Sequence, residues 1–302
     1  MIITVTLCPA LEVVYQVEAL LERQENDVQA SQNWAKGEGL SASMLLQTLG
    51  VANRAMLFSG KETGRAIEYI LESQQIEYET INVQAKTPIH TRIETKKGQI
   101  YTIKTEDDFF SQAEGDAFLA QFEKRVRVCD CVLLPATLPK GFTSNYIKQL
   151  MKIVHGNGAL CAFDVCQTDL ATWMGNPVFL MRMDKKTLEK HEKVEIQSIE
   201  QAAWLCKKIH AQGVNTLLLD MGGSWLYSTE KVACFWQGGG AQEKDAFSLA
   251  GFVGAMDMGL LPGDCVKMAA VCANISKEEI LTGKIGRGDI QKEIQKIDLI
   301  SI

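Results

Sequence analysis

A chain of 302 residues with 46% hydrophobic and 23% charged residues can bury one large α/β core or two small ones, and this composition does not predict disorder. The net charge of −6 gives no overall field to attract phosphate backbones or anionic lipid, so nucleic acid and membrane partners are not expected.

The first seven residues, Met1 to Leu7, are apolar but carry no basic stretch or cleavage site, and they read as a first strand rather than a signal peptide. No apolar run reaches the roughly 18 residues that a membrane span needs. Strands are predicted at Ile2–Leu7, Ala55–Phe58, Cys131–Leu134, Leu160–Asp164, Val178–Met181 and Thr216–Asp220, with helices near 40–49, 63–74, 114–127, 143–155 and 198–212. Short β-branched runs alternating with amphipathic segments predict a mostly parallel sheet covered by helices. Ser198 and Gln201 form a capping-box pattern at the last helix, and Gly213 stands where a C′ glycine belongs. Residues 12–35 and 87–105 break the pattern. Their alternating polarity, as in Ile89–Thr95 and Gln99–Lys104, is too polar for central parallel strands and predicts a small separate sheet. Such a sheet forms a lid over a cleft, or pairs with a second copy through its exposed edge.

Nine cysteines, an odd number scattered from Cys8 to Cys272, include one close pair, Cys129 and Cys131, in C-x-C spacing. Four histidines and no zinc-type spacing leave free thiols in a reducing cytosol as the simpler reading, so a cytoplasmic protein is expected.

Several segments in order carry a family resemblance. Ile3 to Leu11 is similar to an opening strand reading T-L-N-P-A-L-D. Lys36-Gly-Glu-Gly-Leu-Ser-Ala-Ser43, with Leu49-Gly50 after it, is similar to G-G-K-G-x-N-x-S. Pro135 to Gly141 resembles S-G-S-L-P-P-G; Asp164 ends a strand at a matching acid; Asn215-Thr-Leu-Leu-Leu219 parallels the strand before a nucleotide loop; and Ala250-Gly-Phe252 resembles the helix after a G-A-G-D signature. Together these pieces resemble the PfkB carbohydrate kinases, in particular the 1-phosphofructokinase and tagatose-6-phosphate kinase branch.

The resemblance implies a single ribokinase-like domain over residues 1–302, a three-layer αβα fold with a small β-sheet lid inserted at about 12–35 and 87–105. It implies ATP and Mg²⁺ as cofactors and a sugar or sugar phosphate as partner; the exposed edge of the lid sheet adds the expectation of a homodimer through that sheet. It places substrate-binding positions at Glu12, Gly37, Gly39, Ser41, Arg92 and Thr137, and nucleotide-binding positions at Gly222, Gly223, Gly239 and Gly240. The metal helper falls on Asp184 and the catalytic base on Asp245. Gly238-Gly-Gly240 is neither a Walker nor a Rossmann fingerprint, and a flexible turn is its alternative.

The departures from the family pattern carry the functional reading. Alignment through Ala250-Gly-Phe252 puts Ala246 at the base and Glu243-Lys-Asp245 on the small residues that offer amides to phosphate. A shift of one residue restores Asp245 as the base, while an N-cap of the following apolar helix is its other reading. A helix N-terminus favours an anion by about 0.3–2 kcal/mol. One carboxylate at roughly 4 Å opposes it by about 4 kcal/mol at an effective dielectric near 20. Glu38 replaces Lys in the substrate loop, and Glu12 replaces an Asp that binds sugar hydroxyls, with an exposed strand-end acid as its alternative. Arg92 keeps one phosphate-holding cation while Pro88 removes the other, and His90 reads as a lid surface residue. Asp184-Lys-Lys-Thr187 keeps one oxygen of an N-x-x-E metal helper. Three functions follow: a ligand-binding pseudokinase of weak or absent phosphoryl transfer, an active kinase of divergent substrate using Asp245, or a structural dimer with an empty cleft.

Overall fold

The computed structural model describes residues 1–105, 109–165, 170, 173, 175–238 and 246–302. Asp245, Glu243, Gly239 and Gly240 lie outside the described residues. The chain runs β1 (Ile2–Thr6), β2 (Ala10–Val17), β3 (Val28–Lys36), α1 (Glu38–Leu49), β4 (Asn53–Gly60), α2 (Lys61–Ser73), β5 (Glu77–Val83), β6 (Ile89–Thr95) and β7 (Ile100–Lys104). It continues through α3 (Gln112–Arg125), β8 (Cys131–Leu134), α4 (Ser144–Gly156), β9 (Leu160–Asp164), β10 (Val178–Asp184), α5 (Lys185–Glu192) and α6 (Ile199–His210). The last part is β11 (Val214–Asp220), β12 (Ser224–Thr229), β13 (Ala233–Gln237), α7 (Phe247–Asp257), α8 (Pro262–Cys272), α9 (Lys277–Leu281), α10 (Arg287–Ile294) and β14 (Ile300–Ser301).

Ten strands form the main sheet in the order β14-β13-β12-β11-β10-β9-β8-β1-β4-β5. From β5 to β11 every pairing is parallel, and β11 to β14 are antiparallel. The central strands are apolar on both faces because helices cover both. In β4, Ala55 and Leu57 pack with α1, α2, α7 and α8, while Met56 and Phe58 face α3, α4 and α6 on the other side. The α/β class and the parallel sheet agree with the sequence reading. Helix α7 is apolar all round because α1, α8 and the sheet enclose it, as a helix without a polar face requires. A Cβ on Gly251 would stand 2.8 Å from the Sγ of Cys272, so that glycine sets how closely α7 and α8 cross.

The four strands with alternating polarity build a second sheet, β3-β2-β6-β7, with β2 and β6 parallel and the outer pairs antiparallel. Two details differ from the sequence reading. Ser198 accepts from the N–H of Gln201, but the Gln201 side chain accepts from Gln197 rather than Ser198, so the box is not reciprocal. Gly213 lies one residue beyond the C′ position, because α6 ends at His210 with Ala211 as its cap. The N-cap position of α7 falls on Ala246, one residue past Asp245. No helix among the described residues is long and apolar enough to cross a membrane.

Candidate active-site cleft

A cleft of about 470 Å³ opens between the lid sheet and the carboxyl end of β1. Register explains which lid side chains reach it, since every second residue of a strand faces the same side. Glu12 sits opposite Trp34 and His90, and Ala10 opposite Lys36. Arg92 lies two residues beyond His90, and Lys104 is paired with His90 from β7. All seven of these residues line the cleft. The body contributes the Val5–Cys8 segment, Gly37 and Glu38 at the start of α1, Pro135 and Thr137 after β8, and Lys277 at the start of α9.

Glu12 is 5% exposed, which rules out the alternative of an exposed strand-end acid. Its carboxylate accepts from the Lys36 ammonium at 2.5 Å. Burial alone pushes the Glu12 carboxyl up. The Lys36 hydrogen bond and the charges of Lys277, Lys36 and Arg92 outweigh that and hold it below the ordinary glutamate value. The group is therefore an anion set among cations, able to accept a hydrogen bond from a ligand hydroxyl.

The substrate loop is built by close approach. A Cβ on Gly39 would lie 2.6 Å from both the Thr6 hydroxyl and the Val5 carbonyl, and one on Gly37 would collide with the Thr6 methyl. Gly37 also has φ +150°, a region that disfavours side chains. The two glycines therefore let α1 start directly against β1. Ser41 is a correction: it is fully buried inside α1, it does not line the cleft, and its N–H donates to the Gly37 carbonyl at 2.8 Å. One helical turn past Gly37 points that position inward. Thr137 does line the cleft, and its hydroxyl donates to Glu38 at 3.1 Å while the Ala136 N–H donates to the same carboxylate at 3.0 Å. Arg92 lines the cleft and is ion-paired with Glu94 at 2.7 Å.

The predicted nucleotide side lies apart from this cleft, at the ends of β10 and β11. Gly222 and Gly223 have φ values of +80° and +145° and open space around them. The Gly222 N–H donates to the Asp220 carboxylate at 2.9 Å. Arg182, 2% exposed, donates to Asp164 and, at 3.4 Å, to Asp220, and its guanidinium stacks over Trp225 at 5.3 Å. Asp184 caps α5 by accepting from the Thr187 N–H at 2.8 Å. That capping bond occupies one oxygen of the single metal helper the resemblance offers, and the described residues contain no group of three metal-binding side chains. The described residues do not fit a built magnesium site.

One pattern recurs. Glu38 occupies the donors of the 136–137 loop, Asp220 that of Gly222, and Asp184 that of Thr187. In each case a carboxylate of the chain itself accepts from these N–H or O–H groups. The sequence reading missed Lys277, Lys104, Trp34, Arg182 and Asp220. Strand register would have found Trp34 and Lys104; nothing local marks the other three.

No family model matches the chain. It is 26% identical over 234 residues to 1-phosphofructokinase of Bacillus subtilis strain 168, covering 77% of this chain and 76% of the relative. Its fold is similar to that of phosphofructokinase-2 from Escherichia coli in the tetrameric inhibited form, with a TM-score of 0.84, 15% identity and 98% of both chains covered. The same enzyme in complex with fructose-6-phosphate gives 0.81 at 16% identity, again over 98% of both chains. The three-layer body, the lid sheet and the 1-phosphofructokinase relative agree: the chain has the fold of the PfkB-type sugar kinases, and its relatives and structural neighbours are kinases of that type.

Proposed function

We propose that the chain binds a phosphorylated sugar in the cleft beneath its lid, and that ATP-dependent phosphoryl transfer, the activity of its family, is weak or absent. The observation that carries this reading is charge. Among the described residues lining the cleft, Lys36, Arg92, Lys104 and Lys277 face two carboxylates, Glu12 and Glu38. The surplus of two positive charges matches a phosphate monoester, which carries about −1.5 to −2 at neutral pH. Arg92 suits bidentate contact with phosphate, and the ionised Glu12 accepts a sugar hydroxyl. The fructose-6-phosphate bound by the Escherichia coli relative is a ligand of this class.

Weak transfer is supported by the occupied donors. Phosphoryl transfer depends on positioning and charge stabilisation. A terminal phosphate approaching Gly222 must displace the Asp220 carboxylate from a charge-assisted bond worth about 1.5–3 kcal/mol. ATP, when bound, would supply the phosphoryl group; no step is assigned to magnesium, for which the described residues do not build a site. The reading includes a homodimer through the lid, supported by the exposed edge strands β3 and β7, where Val28, Ile100 and Ile103 face solvent.

Thermal shift and calorimetry with fructose 1-phosphate, fructose 6-phosphate and fructose test the binding, and ADP release from ATP in each mixture tests the transfer. A phosphosugar at 100 times its Kd stabilises by about 2.7 kcal/mol. Binding with ADP release at or below about one per minute is the expected result. Turnover of several per second that disappears in Asp245→Asn would replace it with an active kinase, and silence toward both phosphosugars would leave an empty scaffold.

A further inference from the structure

We propose that Lys104 is a specificity-determining residue of the cleft: it holds the phosphate of a bound phosphosugar and sets the ligand's direction, phosphate toward β7 and hydroxyls toward Glu12. The inference rests on the phosphosugar reading above and deepens it. Strand register carries it. Glu12 on β2 pairs with His90 on β6, and His90 pairs with Lys104 on β7, so the three stand in one row across the lid. All three line the cleft. Neighbouring strands lie about 4.8 Å apart, which puts the backbones of Glu12 and Lys104 roughly 10 Å apart, close to the length of a hexose phosphate.

The cations of the cleft divide along this row. Lys36 is ion-paired with Glu12 at 2.5 Å, and Arg92 with Glu94 at 2.7 Å. The charges of Lys36, Lys277 and Arg92 all act on the Glu12 carboxylate, and Lys104 is not among the groups that do. Lys104 is exposed, and no carboxylate among the described residues pairs with it. A phosphate that meets this ammonium therefore displaces no ion pair. At the other end of the row an acid already engages the cations, and that acid repels phosphate while it accepts hydroxyls. A phosphosugar lying along the row finds a hydroxyl acceptor at one end and an uncommitted ammonium at the other, whereas a neutral sugar gains nothing from Lys104. A lysine that only keeps an edge strand from pairing with other chains would leave ligand affinity untouched, which separates the two roles.

The test is calorimetric titration of the wild type, Lys104→Gln and Lys104→Arg with fructose 1-phosphate, fructose 6-phosphate and fructose. Lys97→Gln, which removes the same charge from the exposed turn between β6 and β7, serves as the control. The expected result is at least a tenfold loss of affinity for the phosphosugars in Lys104→Gln and less than a twofold change for fructose. Lys104→Arg recovers to within threefold, and Lys97→Gln changes less than twofold. Should Lys104→Gln unsettle the lid, Lys104→Thr carries the same comparison with a side chain suited to a strand. Unchanged phosphosugar affinity in the neutral variant, an equal loss for fructose, or an equal loss in Lys97→Gln overturns the assignment while leaving the phosphosugar reading intact. A wild-type protein that binds no phosphosugar overturns both.

Discussion

Replacing Glu12 by Gln sets two consequences of the cleft's electrostatics against each other. The carboxylate is buried and holds Lys36 at 2.5 Å, with Lys277 and Arg92 acting on it through space. A charge-assisted hydrogen bond contributes about 1.5–3 kcal/mol, and the lower half applies because Lys36 reaches solvent. The variant should lose about 1–2 kcal/mol at neutral pH, or roughly 2–6 °C in Tm. The folded Glu12 carboxyl titrates below its ordinary value of 4.5. Its contribution is therefore fully present above that value, and it disappears as pH falls through the lower folded value. The two proteins should converge in stability in acid. Anion binding should move the other way. A carboxylate about 4–6 Å from a bound phosphate opposes each phosphate charge by roughly 3–4 kcal/mol at a dielectric near 20. Tenfold in affinity requires only about 1.4 kcal/mol. Glu12→Gln should thus bind inorganic phosphate at least tenfold more tightly than wild type while melting earlier. Equal melting temperatures at pH 7 together with unchanged phosphate binding would refute the balance of charges described for the cleft.

Other expectations follow from the same geometry. Asp220→Ala frees the Gly222 N–H and should raise ATP affinity while lowering stability; Trp225, which is paired with Asp220 in register, offers a fluorescence signal for the titration. Arg182→Met leaves Asp164 buried without that partner and should cost about 3–5 kcal/mol in urea unfolding, with a smaller loss once Asp164→Asn is added. Gly39→Ala forces a Cβ to 2.6 Å from the Val5 carbonyl and should destabilise by about 1–3 kcal/mol, measured by calorimetric melting. Burial pushes the Cys131 and Cys272 thiols up to about 12, so in a Cys166→Ser background Cys129 and Cys8 should react first with a thiol reagent, and fructose 1-phosphate should protect Cys8 alone.

The parallel strands were legible because burial on both faces leaves an uninterrupted apolar run. Cys131–Leu134 and Leu160–Asp164 appear in the fold with their predicted bounds. The antiparallel strands β12 and β13 were missed. Their alternation is blurred by two tryptophans, Trp225 and Trp236, which stack on each other with ring centroids 6.0 Å apart. The lid was legible as alternating polarity, but not its parallel β2–β6 pairing, which joins segments far apart in sequence. Glu12, Gly37, Arg92 and Thr137, expected from motif position, line the cleft, while Gly39 packs against β1 beside it. Lys277 was not expected, because nothing local in Ser276-Lys-Glu-Glu279 marks the burial it has in the fold. Asp220 and Arg182 looked like ordinary strand ends until the order of the sheet brought β9, β10 and β11 side by side.

The lid is stitched into the body by two separate excursions of the chain, β2–β3 and β6–β7, whose inner strands lie against each other. A flap hung on one hairpin can peel open from its tip. A plate sewn along two seams, with the chain passing between plate and body four times, can only rock as one piece. Movement of the lid would call for bending at those crossings, and a protease cut in the exposed 18–27 connection should leave the plate in place, held by the pairing of β2 with β6.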